Sequence, residues 1–557
     1  MGSLLASSAN YQTPRRQGLA SFLAPRCVAG LLVLVSSITF HEFRSTTFIG
    51  DGLRYLPALR TITEGPPATF QPKPWLEVYR SHYEPAVVHH HFLFGLTMRT
   101  IFALQRALGI YGDATIAIQA VNALAAAIAG GLFFLLVHRL GVPKGISLAV
   151  AVGVCFSPAY ILAATNVAEV ALALPFFVGT LLVLADRDSL ERGAIATAIL
   201  AALAAITYLL AGALVPCIAI AAIISRSPSE STVRKVVLFV SVFALIFLGI
   251  WVGVLYLSGV HSPSNLAIAI LKFPEQGTYG QFKLGSLVAT PVGLTHAFFP
   301  ILPDDFRGLR SLYHAPLLAL IVAIISISTC ALLARAIYLL FQRGLIRNVT
   351  LLSAALTFLL VEAACMWWDP YHLKLQLFGL ILLWMILAVG FAGSRSDRAY
   401  RWLLLLFVTA VAAGGVKILR DNILPSRTNE NARQLHAIVG EGVLVTGWSS
   451  DVAHLWLYSN GDNIIALPDF ALARNFQPSR VEADLNKLIK EATAHRTNVY
   501  FYGLLEDDDA DLTNVYDIKF RLTGFTSYLR GLQQKVRPVA RFQQAGGHWN
   551  VLYIYNP

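Results

Sequence analysis

Between Cys27 and about residue 418 the chain repeats one pattern: a long apolar run, then a short linker that carries the charges. Each run is close to the roughly 20 residues that a helix needs to cross the hydrocarbon layer. The pattern predicts spanning helices near 27–43, 114–137, 145–164, 168–185, 193–208, 211–225, 236–258, 315–338, 349–366, 372–392 and 402–418, about eleven in all. Within 193–225 no charge separates two spans, and Tyr208 and Gly212 mark a turn between short helices. Two stretches depart from the pattern. In 44–113, "LRYLPALRTI" and "HHHFLFGLTMRTIFALQRALG" place apolar residues at helical spacing with Arg54, Arg60, Arg99 and Arg106 interleaved, which predicts two helices lying in the membrane interface. The stretch 259–313 is long and interrupted by Pro and Gly, so it reads either as a lid over a site or as a plug packed on the helix bundle.

After about residue 420 the sequence becomes polar and turn-punctuated. "GVLVTGW", "NIIALPDF" and "NVYFYGLL" read as strands, "SRVEADLNKLIKEATAHR" as an amphipathic helix with Ser479 as its cap, and "GGHWNVLYIYNP" as a terminal hairpin strand. Strand and helix alternate, which predicts a small α/β layer. "GWSSD" has neither the Walker nor the dinucleotide spacing, and the acidic run "LLEDDDAD" reads as a solvated loop. The division is therefore an α-helical polytopic membrane domain over 1–420 and a soluble α/β domain over 421–557.

Composition agrees with this class: of 557 residues 56% are hydrophobic and only 13% charged, and the mean hydropathy is +0.61. The net charge of +11 lies mostly in the linkers, where topology explains it and no nucleic acid is implied. If the basic N-terminus is cytoplasmic, "HRLGVPKG", "DRDSLERG", "RSPSESTVRK", "FQRGLIRN" and "SRSDRAYR" all fall on the cytoplasmic side. The segments 44–113 and 259–313 and the C-terminal domain then share the outer compartment of a plasma (inner) membrane. The five cysteines lie in or beside apolar runs and show neither metal spacing nor a disulfide framework. Arg15, Arg16 and Arg26 precede the first run, but no small-residue cleavage site follows, so that run reads as an uncleaved helix.

The order of features carries a resemblance. A first spanning helix, an acid at its outer end in "GDGLRYLPALR", a second surface helix introduced by "HYEPAVVHHH", then "NALAAAIAGGLFFLLVHRLG" and "LAVAVGVCFSPAYILAATNVAEV" together resemble the N-terminal half of the GT-C superfamily of membrane glycosyltransferases. Protein O-mannosyltransferases, aminoarabinose transferases and arabinofuranosyltransferases are relatives there. The likeness runs over about 27–225 and more loosely to 418. It implies an inverting transferase that moves a sugar from a polyprenyl-phosphate donor to an extracytoplasmic glycan, lipid or protein acceptor, with membrane lipids around it. The first-loop acid maps onto Asp51 as general base. Many members carry a second acid nearby, whereas Asp51 stands between Gly50 and Gly52, so no divalent metal and no other cofactor is expected.

The chemistry asks for the same groups. One carboxylate must take the acceptor proton, and cations must hold the departing phosphate at the membrane surface. Asp51 supplies the first, and Glu169 is either a second catalytic carboxylate or a helix N-terminal acid complementing the dipole. Arg44, Lys272, Lys283, Arg307 and Lys374 are the outer-face candidates for the donor phosphate. Lys374, in "WWDPYHLKLQLF", resembles the late-helix cation of relatives. His82, Glu84, His89 and His90 read as hydrogen-bonding groups for sugar or acceptor, since consecutive histidines cannot all face one point on a helix. The rival classes are a transporter or flippase of lipid-linked intermediates and a non-catalytic scaffold. A transporter would place ionisable groups at mid-membrane, where Glu362 is the main example.

Overall fold

The computed structural model describes residues 19–45, 74–77, 92–109, 114–186, 190–225, 230–257, 284–301, 316–342, 344–368, 371–392, 398–422, 427–447, 463–472, 474, 477–505, 522–543 and 549–556. The membrane part consists of α1 (Leu19–Glu42), a short external helix α2 (Pro74–Glu77), α3 (Phe92–Ala107), α4 (Ala114–Arg139), α5 (Lys144–Cys155), α6 (Pro158–Thr165), α7 (Glu169–Asp186), α8 (Leu190–Thr207), α9 (Leu214–Ser225), α10 (Glu230–Leu257), α11 (Ser286–Phe298), α12 (Pro316–Gln342), α13 (Val349–Trp368), α14 (Leu373–Ala392) and α15 (Arg398–Asn422). The described residues of each segment that the apolar runs single out as a span are mainly helical, with a break inside 145–164. Among the described residues seven helices are long and apolar enough to cross a membrane, or eight if α5 and α6, bent by 64° at their junction, count as one. Eleven spans are therefore not established: α8 and α9 are short apolar helices separated at Tyr208 by a 3₁₀ turn, Leu209–Ala213. The chain is a multi-pass membrane protein.

Burial sorts these helices into a centre and a periphery. α14 is apolar on every side and 94% of its span is buried, whereas α10 and α12 are 11% and 17% buried and present bare Leu, Ile and Val outward. Small residues let backbones meet: a side chain at Gly131 of α4 would lie 3.2 Å from the Ala29 carbonyl oxygen of α1. At the α5–α6 break, Trp384 of α14 donates from its indole nitrogen to Ser157 Oγ at 3.1 Å. There a Cβ on Gly415 of α15 would stand 2.0 Å from the Phe156 carbonyl oxygen, so only glycine permits that contact. Of the 259–313 stretch, residues 284–301 are described. They contain α11, whose far end is buried against α14 through Phe298 and Trp384, with ring centroids 5.4 Å apart.

The C-terminal part adds α16 (Arg427–Val439), β1 (Val443–Thr446), β2 (Ile464–Ala466), α17 (Leu467–Leu472), α18 (Pro478–Ala494), β3 (Val499–Tyr502), α19 (Phe525–Gln533), β4 (Val536–Gln543) and β5 (Trp549–Tyr555). The sheet order is β2-β1-β3-β5-β4, parallel through β2, β1 and β3 and antiparallel at β5 and β4. One face buries Leu485, Leu488, Phe525 and Leu529 of α18 and α19; the other buries Ala432 and Leu435 of α16. The cap of α18 is Gln477, not Ser479, because Pro478 takes the first helical position, where its missing N–H costs nothing. Leu76 of α2 is fully buried in the first of these cores, and Trp75 stacks on His495 at 5.3 Å and 9°. The short helix α2 thus packs on the C-terminal domain. Arg139 and Asp186, whose side chains are 3.1 Å apart, lie where α4 and α7 end.

Candidate functional site

A group of buried amides lies at the end of the bundle where α1 and α6 stop. Gln119 and Asn122 stand one turn apart on α4 and so share a face. Gln119 Nε2 donates to the Ser45 and Thr165 carbonyls at 2.9 and 2.8 Å, and Asn122 Nδ2 to those of Asn166 and Ala168 at 2.8 and 3.0 Å. These bonds satisfy the carbonyls freed where α6 stops and α7 has not begun, which an apolar setting would otherwise leave unmade. The Ser45 amide adds a bond to the Thr165 carbonyl at 3.1 Å. Asn422, at the end of α15, donates to the Phe43 carbonyl and to Thr165 Oγ1, each at 3.2 Å. The ends of α1, α4, α6 and α15 are stitched together around residues 165–168.

Glu169 follows that junction as the first residue of α7, where the helix dipole favours a negative charge. Lys374 stands in the first turn of α14, and its Nζ lies 2.9 Å from Glu169 Oε1, with the two side chains only 5% and 1% exposed. Two residues that the sequence offers for separate tasks are therefore partners in one buried ion pair. Lys374 is buried at the start of α14. Arg44 is half-buried next to Ser45 and donates to the His41 carbonyl at 3.1 Å. The Asn166 side chain, 1% exposed, has neither its amide nitrogen nor its oxygen bonded among the described residues, and Asn122 Oδ1 is likewise unmatched. Buried amides without partners are uncommon and mark a place where a ligand can supply them.

Asp51, His82, Glu84, His89, His90, Lys272, Lys283 and Arg307 lie outside the described residues. Asp51 follows Ser45 by six residues, at most about 21 Å of extended chain. Among the described residues no three His, Cys, Asp or Glu side chains come together as a metal-ligand set. Glu362 sits apart from the junction in α13, where its carboxyl occupies the space that a Cβ at Gly379 of α14 would need. The amides Gln119, Asn122, Asn166 and Asn422 are absent from the residues that motif reasoning selects. Their only signal in the sequence is that each is an amide inside or at the edge of an apolar run.

No family model matches the chain, and no curated protein matches it in sequence. Its fold has solved counterparts. ArnT from Cupriavidus metallidurans is similar in the apo state over 96% of this chain and 98% of its own, with a TM-score of 0.55 at 11% identity. The form of ArnT bound to undecaprenyl phosphate gives 0.52 at 12% identity, over 97% of this chain and 98% of that one. The archaeal oligosaccharyltransferase AglB from Archaeoglobus fulgidus, in complex with an inhibitory peptide and a dolichol-phosphate, gives 0.51 at 11% identity, over 94% and 74%. Both are GT-C glycosyltransferases, and the fold of this chain is the GT-C fold.

Proposed function

We propose that this GT-C-fold chain is an inverting glycosyltransferase that uses a polyprenyl-phosphate sugar and acts at the bundle end where Glu169 and Lys374 meet. The carrying observation is that ion pair: two charges, almost fully buried, among amides whose bonding is incomplete, in a fold whose solved examples hold polyprenyl phosphates. Burying a pair gives little net stability against an apolar replacement of the same shape, so its presence is better explained by a task. In the reaction the acceptor hydroxyl gives its proton to Asp51 as its oxygen bonds to the anomeric carbon. The bond from that carbon to the phosphate oxygen breaks, and the polyprenyl phosphate leaves with the electron pair. A phosphate needs no proton to leave, only cations. Arg44 is suited to that task because its fork retains donors beyond its bond to the His41 carbonyl. Lys374, neutralised by Glu169, contributes N–H donors and holds the carboxylate in place.

The donor sugar class, the acceptor (glycan, lipid or protein) and an outer-facing site in a plasma membrane belong to this proposal, as do the roles of Lys272, Lys283, Arg307, His82, Glu84, His89 and His90. The test is mass spectrometry of lipid retained by the purified protein, followed by incubation with a polyprenyl-phosphate pentose or hexose. Retention of a polyprenyl phosphate and release of free carrier lipid on adding acceptor support the reading. Passage of an intact lipid-linked sugar across a vesicle membrane without cleavage would replace it by the flippase alternative.

A further inference from the structure

We infer that a groove between the first turns of α8 and α10 binds one anionic phospholipid of the surrounding membrane, with its phosphate on Lys235 and an acyl chain along Ile195, Ile199 and Leu238. On α8, Ile195, Ile199, Ala202 and Ile206 follow at spacings of three and four and form one stripe; on α10, Lys235, Leu238 and Ile246 share a face in the same way. Toward the far ends of the two helices the stripes meet, and Ala202 and Ile206 are buried against Phe243, Ile246, Phe247 and Trp251. At the near ends they part. There the small residues Gly193 and Ala196, with Ile195 and Ile199, line a cavity of about 380 Å³ together with Lys235 and Leu238. Its volume falls in the ordinary range of ligand sites, roughly 300–1,000 Å³.

Charge decides the occupant. Arg234, the neighbouring cation, is ion-paired with Glu230 one turn before it. Lys235 makes no hydrogen bond or ion pair among the described residues, and it is half-buried in a groove with apolar walls. An unpaired ammonium is costly in that setting, and a lipid phosphate is the counter-ion that a membrane supplies. Lys235 stands five residues into α10, about 7.5 Å along the helix axis, a depth from which a lysine stem reaches the headgroup layer. Ile195 and Ile199 are 54% and 40% exposed, so the groove opens toward lipid and an acyl chain can lie in it. Lipid tails are as apolar as these walls, so the chain contact alone selects no lipid over another. Selection falls to the headgroup, and Lys235 favours one with net negative charge.

The experiment uses the full-length protein, delipidated in detergent and titrated with phosphatidylglycerol or with phosphatidylcholine of identical chains. Native mass spectrometry measures the bound lipid, and thermal unfolding follows each titration. One phosphatidylglycerol should be held at least about fivefold more tightly than phosphatidylcholine, the preference that one basic residue gives near anionic headgroups. Lys235→Gln should remove that preference, and Lys235→Arg should keep it. Ala196→Leu, a larger side chain at an exposed position of the groove wall, should remove the bound lipid and the rise in melting temperature that phosphatidylglycerol gives wild type. Equal affinity for the two lipids in wild type, or an unchanged preference in Lys235→Gln, overturns the phosphate contact and the site with it. Wild-type binding in Ala196→Leu overturns the groove as the seat of the chain. If inorganic phosphate alone raises the wild-type melting temperature as much as phosphatidylglycerol does, the site takes a free anion and the lipid assignment fails. None of these readouts depends on the proposed glycosyl transfer.

Discussion

The Glu169–Lys374 pair allows a quantitative test that does not depend on knowing the sugar. At 2.9 Å the mutual attraction of two unit charges is about 6 kcal/mol for an effective dielectric constant of about 20, most of it offset by the cost of taking both groups out of water. Removing one partner of a buried ion pair typically costs about 3–5 kcal/mol, whereas removing both for shapes of similar volume is often close to neutral. Glu169→Gln and Lys374→Met should therefore each be strongly destabilising. The double variant should be more stable than either single variant by at least about 2 kcal/mol. Equilibrium unfolding by sodium dodecyl sulfate in mixed micelles, followed by circular dichroism, gives the four stabilities of the cycle. The reasoning fails if either single variant lies within about 1 kcal/mol of wild type, or if the two losses add in the double variant. Activity should behave differently from stability, with the double variant folded yet slow, because the proposed function gives the pair a task in the site.

Three further outcomes follow from particular contacts. Single cysteines at Gly65, Gly277 and Asn460 in a cysteine-free background should all label from outside intact cells with an impermeant reagent; protection of any one until lysis breaks the assigned topology. Gly415→Ala puts a methyl group where the Phe156 carbonyl oxygen stands, 2.0 Å away, so α15 must move from the α5–α6 break, and overpacking of this kind typically costs about 1–3 kcal/mol; wild-type unfolding by the same titration would contradict it. In the C-terminal domain the Tyr528 phenol, which donates to Asn486 Oδ1 at 3.0 Å, is pushed above the ordinary phenol range by burial first and then by Glu482 and Tyr555. Its stabilising contribution is therefore complete below about pH 10 and is lost as pH rises toward the folded-state value. Tyr528→Phe should flatten the alkaline fall in the domain's melting temperature, and an unchanged slope would refute the assignment.

The long apolar helices were legible because length and apolarity are local properties that can be read without knowing a run's neighbours; α2, and α11 within the Pro- and Gly-interrupted stretch 259–313, were not. The α5–α6 break was legible in retrospect from "FSPAY", where Pro158 begins a new helix, although the run around it reads as one span. In the C-terminal domain β1, β2, β3 and α18 followed from alternation and amphipathicity. The helix α16 and strand β4 did not, since α16 is polar overall and the Pro538 in β4 disguises an edge strand. The site was legible as a set of residue types but not as a set of pairs. Glu169 and Lys374 are 205 residues apart in sequence, and only the crossing of α7 and α14 brings them within hydrogen-bond reach. That crossing sets the Lys374 ammonium beside a carboxylate, a pairing that neither stretch of sequence shows by itself. The junction amides carry no motif, because their partners are backbone carbonyls whose exposure depends on where two helices stop.

In the proposed function Asp51 takes the acceptor proton in sugar transfer from a polyprenyl phosphate. Asp51→Asn keeps the shape and removes the acceptor of the proton, and a positioned general base contributes about 10²–10⁴-fold. The direct measurement is the single-turnover rate of transfer from a radiolabelled polyprenyl-phosphate sugar by purified wild type and Asp51→Asn, with donor binding and melting temperature measured alongside. A rate reduced at least about 100-fold, with binding and melting close to wild type, is the predicted result. Transfer by Asp51→Asn at more than about a tenth of the wild-type rate would contradict it.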